Sequence, residues 1–149
     1  MRTGVIDLRN RQRRIKVRLG WLRQFAEIAL PECALRSADG RFALRQLPEV
    51  DVAIVSDQVI GRVHEQFMNI PGPTDVITFE HGEIVMSAET AVVHAREYGH
   101  SVDVELALYM VHGLLHLNGY EDAAASDAQR MRKTQERIMK ACFKRILPP

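Results

Sequence analysis

In the stretch Val111–Asp122, VHGLLHLNGYED, two histidines stand four residues apart and a carboxylate follows the second by six. On an α-helix, positions i and i+4 share a face, so His112 and His116 can present both imidazoles to one ion. Gly119 breaks such a helix, and the turn after it can bring Asp122 to the same point. Two neutral imidazoles and a carboxylate suit a single zinc ion, with a fourth position left for water in catalytic sites. The ion would lower the pKa of that water toward ~7. His112, His116 and Asp122 are therefore the expected metal ligands and the expected catalytic residues. Two unpartnered imidazoles on an otherwise apolar helix would be costly to bury, which favours a metal over a structural pair. Gly113 stands where an H-E-x-x-H peptidase carries its general base, so a peptidase reading loses the group that activates water.

The elements around this stretch must hold it in place. A helix from about Asp103 to Leu117 is apolar nearly all round and is expected to be the buried central helix. Upstream, TGVIDL (3–8) reads as a strand with Val5 and Leu8 as its apolar positions. An amphipathic helix follows from Lys16 to about Leu30, with Trp21 and Phe25 in the core and Pro31 as its end. EVDVAIVSD (49–57) has the β-branched run of a buried strand. Asp57 can cap a helix carrying Ile60, Val63 and Phe67. TDVITFE and GEIVMS read as two strands joined tightly through His81 and Gly82. Ser87 and Gly99 bracket another helix, and a capping box of Ser126 and Gln129 opens a last one that runs to about Arg145.

These elements predict an α+β domain spanning 1–149. A small mixed β-sheet of about four strands packs against about five helices, with the metal site on the central buried helix and the turn after it. Thr74 and Asp75 are expected to organise the loop before their strand. His64 could reach the cleft or serve structure; His81, His94 and His100 receive no role.

A content of 46% hydrophobic and 26% charged residues describes a globular chain, and no run approaches the ~18 apolar residues of a membrane span. The first residues lack an apolar signal region, and the two cysteines, Cys33 and Cys142, lack C-x-x-C spacing. Both features point to a cytoplasmic protein with reduced thiols. The net charge of +1 hides a segregation: residues 1–23 carry +7, 24–125 carry −11 and 126–149 carry +5. Basic ends around an acidic centre suit a phosphate-binding surface beside a metal site, or simply solvated helix faces.

The motif blocks resemble one family. HGLLHLNGYED is similar to the H-G-x-L-H-L-x-G-Y-D-H signature of the YbeY family, PTDVITFE (73–80) to its P-T-D-V-L-S-F segment, and GEIVMS (82–87) to its G-D-I-x-I-S strand. The resemblance covers roughly residues 50–125. It implies a metal-dependent, single-strand-specific endoribonuclease that matures ribosomal RNA, working through a zinc-activated water or zinc-assisted 2′-OH attack. The implied cofactor is one zinc ion per chain. The implied partners are precursor ribosomal RNA and ribosomal subunits or proteins, with no membrane.

Two departures from the family pattern stand out. Asp122 replaces a third ligating histidine, preceded by Glu121, and His64, Phe67 and Met68 stand where the family has Asn and Tyr-Arg. With Met68 in the arginine's place, Arg62 and Arg96 are the candidates to contact substrate phosphate. The alternative function is a non-catalytic or weakly catalytic ribosome-assembly factor that binds metal and RNA; a zinc peptidase is less favoured.

Overall fold

The computed structural model describes residues 4–149. In chain order the elements are β1 (Val5–Asn10), α1 (Leu19–Ala34), α2 (Ala43–Gln46), β2 (Glu49–Val55) and α3 (Asp57–Met68). They continue with β3 (Val76–Phe79), β4 (Glu83–Ser87), α4 (Ala88–Tyr98), α5 (Val102–Leu117) and α6 (Ala125–Phe143). The sheet order is β1-β2-β4-β3; β1, β2 and β4 run parallel and β3 runs antiparallel to β4. This is the mixed four-stranded α+β arrangement expected, with one more helix among the described residues. The addition is the single turn α2, entered through Phe42 in the left-handed region at φ 51°.

Strand β2 shows why the sheet has two unequal faces. Val50, Val52 and Ile54 alternate into the main core with α1, α5 and α6, whereas Val55 joins Ile60, Ile77 and Val85 in a smaller cluster under α3. The hairpin between β3 and β4 turns at Gly82, whose φ of 107° favours glycine.

Several boundaries differ from the sequence reading, each for a local reason. Thr3 lies outside the described residues, and Val5 is 65% exposed because β1 is an edge strand that buries only Leu8. Helix α1 starts at Leu19, since the Gln12 side chain binds both backbone groups of Ile15 at 2.8 Å and holds that segment in a loop. Pro31 does not end α1. The helix runs to Ala34 because Leu30, Cys33 and Ala34 continue its buried face, and Leu35 N–H still donates to the Pro31 carbonyl at 3.1 Å. Burial thus outweighs the ~3 kcal/mol local cost of an internal proline.

Strand β2 stops at Val55, and Ser56 rather than Asp57 caps α3, accepting from Val59 N–H at 3.2 Å. Asp57 instead accepts from the hydroxyls of Ser87 and Thr90, tying α3 to α4. Helix α6 begins at Ala125, before the expected Ser126 cap, with no side-chain cap. Its stripe of Met131, Thr134, Ile138 and Cys142 fixes it against its neighbours.

Helix α5 is the buried centre, capped by Ser101 and packed on α1, α4, α6 and two strands. Its Asp103 accepts from Arg18 N–H at 2.8 Å, anchoring the start of α1. Trp21 stacks on Phe143 at 6.1 Å and donates its indole N–H to the Leu147 carbonyl at 2.7 Å. The start of α1 and the C-terminal residues therefore adjoin. Cys33 and Cys142 are buried and free; burial pushes the Cys142 thiol up to about 11 and that of Cys33 higher still. Among the described residues, no helix is long and apolar enough to cross a membrane.

Candidate metal centre and its adjoining cavity

The i, i+4 spacing on α5 has its expected result: His112 Nε2 and His116 Nε2 lie 3.0 Å apart. Asp122 Oδ2 stands 3.5 Å from both nitrogens. The turn that delivers it is built from three consecutive residues. Asn118 is fully buried; its amide donates to the carbonyls of Cys33 at 2.9 Å and Arg36 at 2.6 Å, and its carbonyl oxygen accepts from Leu44 N–H. Gly119 has φ 96°, and a Cβ there would meet the Asp39 carboxylate at 2.9 Å. Tyr120 is buried, with the Arg130 guanidinium 5.4 Å from its ring centroid.

The far side of each imidazole fixes its tautomer. His116 Nδ1 lies 2.8 Å from the Tyr120 carbonyl, and His112 Nδ1 lies 2.9 Å from Gln135 Oε1 on α6. Both oxygens only accept, so each Nδ1 carries the proton and each Nε2 presents a lone pair. Two lone pairs and a carboxylate oxygen then face one another with no hydrogen between them. A cation satisfies that arrangement. Burial lowers the His112 pKa below the ordinary histidine value, which disfavours a proton in that part. Two nitrogens and an oxygen also match the donor set of a zinc site, so the residues present fit such an ion. Among the described residues, one other group of three such side chains brings a ligand atom of each within 4.8 Å of the others, the largely exposed Asp7, Glu49 and Asp51.

Gly113 now has a packing explanation. A Cβ at this position would come within 2.8 Å of Ile84 Cδ1 and 3.0 Å of its Cγ2, so α5 lies directly on β4 there. A side chain at 113 would point into the sheet rather than toward the histidines.

His112, His116 and Asp122 line a cavity of about 480 Å³ together with Met68 and residues of the β3 region. Met68 does occupy its wall, as the resemblance places it. Asp75, Glu80, Glu121 and Asp122 give the wall four carboxylates, and neither arginine nor lysine lines it. Arg62 and Arg96 are exposed on α3 and α4 and line neither this cavity nor the one beside it. Helix α4 turns Ala88, Ala91 and Ala95 inward, which leaves Arg96 outside. Arg132 of α6 is the arginine on the neighbouring cavity. Asp75 organises its loop as expected: its carboxylate accepts from Val76 N–H at 2.7 Å, and its carbonyl accepts from Ser87 N–H at 2.9 Å. His64 is structural, its Nδ1 2.9 Å from the Gly72 carbonyl.

Gln135, Asn118 and Arg132 were not identified from sequence. No local pattern marks a residue on a separate helix that supports a histidine 23 positions away. His94 and His100, given no role, flank the buried carboxylate of Glu105. A regular spacing could have signalled this, since Glu105, Tyr109, His112 and His116 form one stripe on α5.

A family model described as Endoribonuclease YbeY matches residues 7–142. The Endoribonuclease YbeY of Chloroflexus aurantiacus is 34% identical over 129 residues, covering 72% of this chain and 84% of the relative. That of Micrococcus luteus is 30% identical over 141 residues, covering 81% and 90%. A Thermotoga maritima protein with a known solution structure superposes with a TM-score of 0.62 at 23% identity, covering 95% of this chain and 89% of the other. At that identity the likeness speaks to the fold.

Proposed function

Since the chain belongs to the Endoribonuclease YbeY family, we propose that it is a metal-dependent, single-strand-specific endoribonuclease acting in ribosomal RNA maturation in the cytoplasm. One domain over residues 1–149 carries the activity, with one zinc ion per chain and precursor ribosomal RNA, in its ribosomal setting, as the partner. The observation that carries the reading is the convergence of His112 Nε2, His116 Nε2 and Asp122 Oδ2 as three acceptors within 3.5 Å of one another.

His112, His116 and Asp122 would hold the ion. Gln135 and the Tyr120 carbonyl keep the imidazoles in the ligating tautomer. When bound, zinc supplies Lewis acidity toward a phosphoryl oxygen and lowers the pKa of water or a 2′-OH nearby. Met68, Val76, Ile77 and Leu117 form the apolar part of the wall and limit water around the reacting phosphate. The carboxylates of Glu80 and Glu121 face the same cavity and are the groups placed to take a proton. The basic segments 1–23 and 126–149 supply sequence-independent phosphate attraction.

The test is metal analysis together with cleavage of structured ribosomal RNA by the purified protein. His112→Ala and His116→Ala are expected to lose cleavage by at least ~100-fold, and Asp122→Ala to lose the near-stoichiometric ion. Undiminished cleavage in both histidine variants would sink the nuclease reading of this site, and full metal occupancy in Asp122→Ala would remove that residue from it.

One observation favours a second reading, a metal-holding RNA-binding assembly factor without turnover. Met68 and four carboxylates line the cavity where a phosphate would need a cation. That reading expects salt-dependent RNA binding and no cleavage. A zinc peptidase is disfavoured by the contact of Gly113 with Ile84, and a casein assay checks it.

A further inference from the structure

A second cavity of about 640 Å³ shares Asp75, Val76 and His112 with the first. Its far wall is made of rings. Tyr98, at the end of α4, is 68% exposed; His94 meets it edge-on at 6.4 Å, and His100 lies tilted toward it at 6.2 Å. These rings are held from beneath. Glu105 is only 2% exposed, with His100 Nε2 2.5 Å from one oxygen and His94 Nδ1 3.8 Å from the other, and the Tyr109 hydroxyl lies 2.6 Å from the same His94 nitrogen. Helix α6 also lines the cavity and presents Arg132, Gln135 and Glu136, Gln135 being bound to His112.

The geometry points to a nucleotide subsite: a base flanking the scissile phosphate of single-stranded RNA stacks on Tyr98 and His100, and Arg132 contacts that nucleotide's phosphate. The inference rests on the RNA reading above and adds the residues that grip the strand. Unstacked bases are taken up on tyrosine and histidine faces and on guanidinium planes, whereas bases inside a duplex offer no free face. A ring platform beside the ligands therefore supplies a physical basis for single-strand selectivity. It also answers the missing cation. The first cavity is lined by carboxylates and Met68, so the positive charge for a phosphate comes from the neighbouring wall, where Arg132 stands. An extended peptide could also meet aromatic rings, but the cavity's continuity with His112 and the presence of Arg132 favour a phosphodiester strand. Glu105 acts as a positioning residue, since it holds the rings and does not face the reacting atoms.

The experiment measures binding of a short, fluorescent, single-stranded 2′-O-methyl oligonucleotide by anisotropy, together with kcat and KM on a cleavable single-stranded RNA. Tyr98→Ala is expected to weaken binding roughly tenfold and raise KM, with kcat within about twofold; Tyr98→Phe keeps the ring and restores binding. Arg132→Ala is expected to weaken binding and reduce the slope of log K against log salt by about 1. Both positions are exposed, and circular dichroism checks that the variants fold. Unchanged oligonucleotide binding in Tyr98→Ala and Arg132→Ala would overturn the subsite even where His112-dependent cleavage persists, and the nuclease reading would then stand alone. Binding that depends on both residues without any cleavage would support the subsite and remove the nuclease reading. Preference for a duplex, or displacement of the oligonucleotide by a peptide library at the same residues, would also overturn it.

Discussion

At the C-terminal end of α5, His112 and His116 meet Asp122; about two to three turns back along the same helix, Glu105 meets His94 and His100. Both places hold two imidazoles and one carboxylate, yet they are arranged in opposite senses. In the first, the carboxylate is half-exposed and three acceptor atoms point at one another, because Gln135 and Tyr120 already take the Nδ1 protons. In the second, the carboxylate is buried and each histidine approaches a different oxygen. There His100 is hydrogen-bonded to the carboxylate and His94 to the Tyr109 hydroxyl beside it, and what faces outward is ring surface. Identical residue types thus give a cation-seeking centre at one end and a rigid ring platform at the other. What separates them is whether the carboxylate lies buried beneath the rings or half-exposed between their free nitrogens.

The largest effect expected of this contrast lies at Gln135. Gln135→Ala frees the His112 ring and should weaken metal affinity by ~10–100-fold, read from competition with a chelator. An unchanged affinity would mean that the ring is held without Gln135. At the other end, Glu105→Gln should lower stability by about 1 kcal/mol in urea unfolding while leaving the metal content intact. Loss of the ion in that variant would show that the two ends are not independent. The smallest effect is the pH dependence of the metal-stripped protein. Burial lowers the folded-state pKa of His112, so the unfolded chain binds that proton more readily. The stability due to the neutral ring is present above the unfolded value near ~6.5 and is lost as pH falls below it. Comparison of urea midpoints between about pH 7.5 and about pH 5.5 should show a shallower fall in His112→Ala.

The parts of this molecule legible from sequence are those set by short-range geometry. The i, i+4 pair on α5, the Ser87 and Gly99 bounds of α4 and the Gly82 hairpin all depend on residues close along the chain. Local rules misled where burial overrode them. Pro31 lies inside a helix whose packed face continues past it, and Val5 is exposed at the start of an edge strand that buries only Leu8.

The sequence by itself determined that two imidazoles would share a helical face, that a glycine turn would follow, and that no glutamate would stand beside the first histidine. Only the tertiary structure decided what those facts amount to. Gly113 is small because α5 rests on Ile84, and Asp122 arrives because Asn118 joins the ends of α1 and α5. The lone pairs converge because Gln135, on another helix, accepts a hydrogen bond from the far side of the His112 ring, and Arg132 reaches the adjoining cavity from the same helix. Spacing along a chain controls which side chains share a face. The direction of a lone pair depends on what lies on the other side of the ring, and that is supplied by residues distant in sequence.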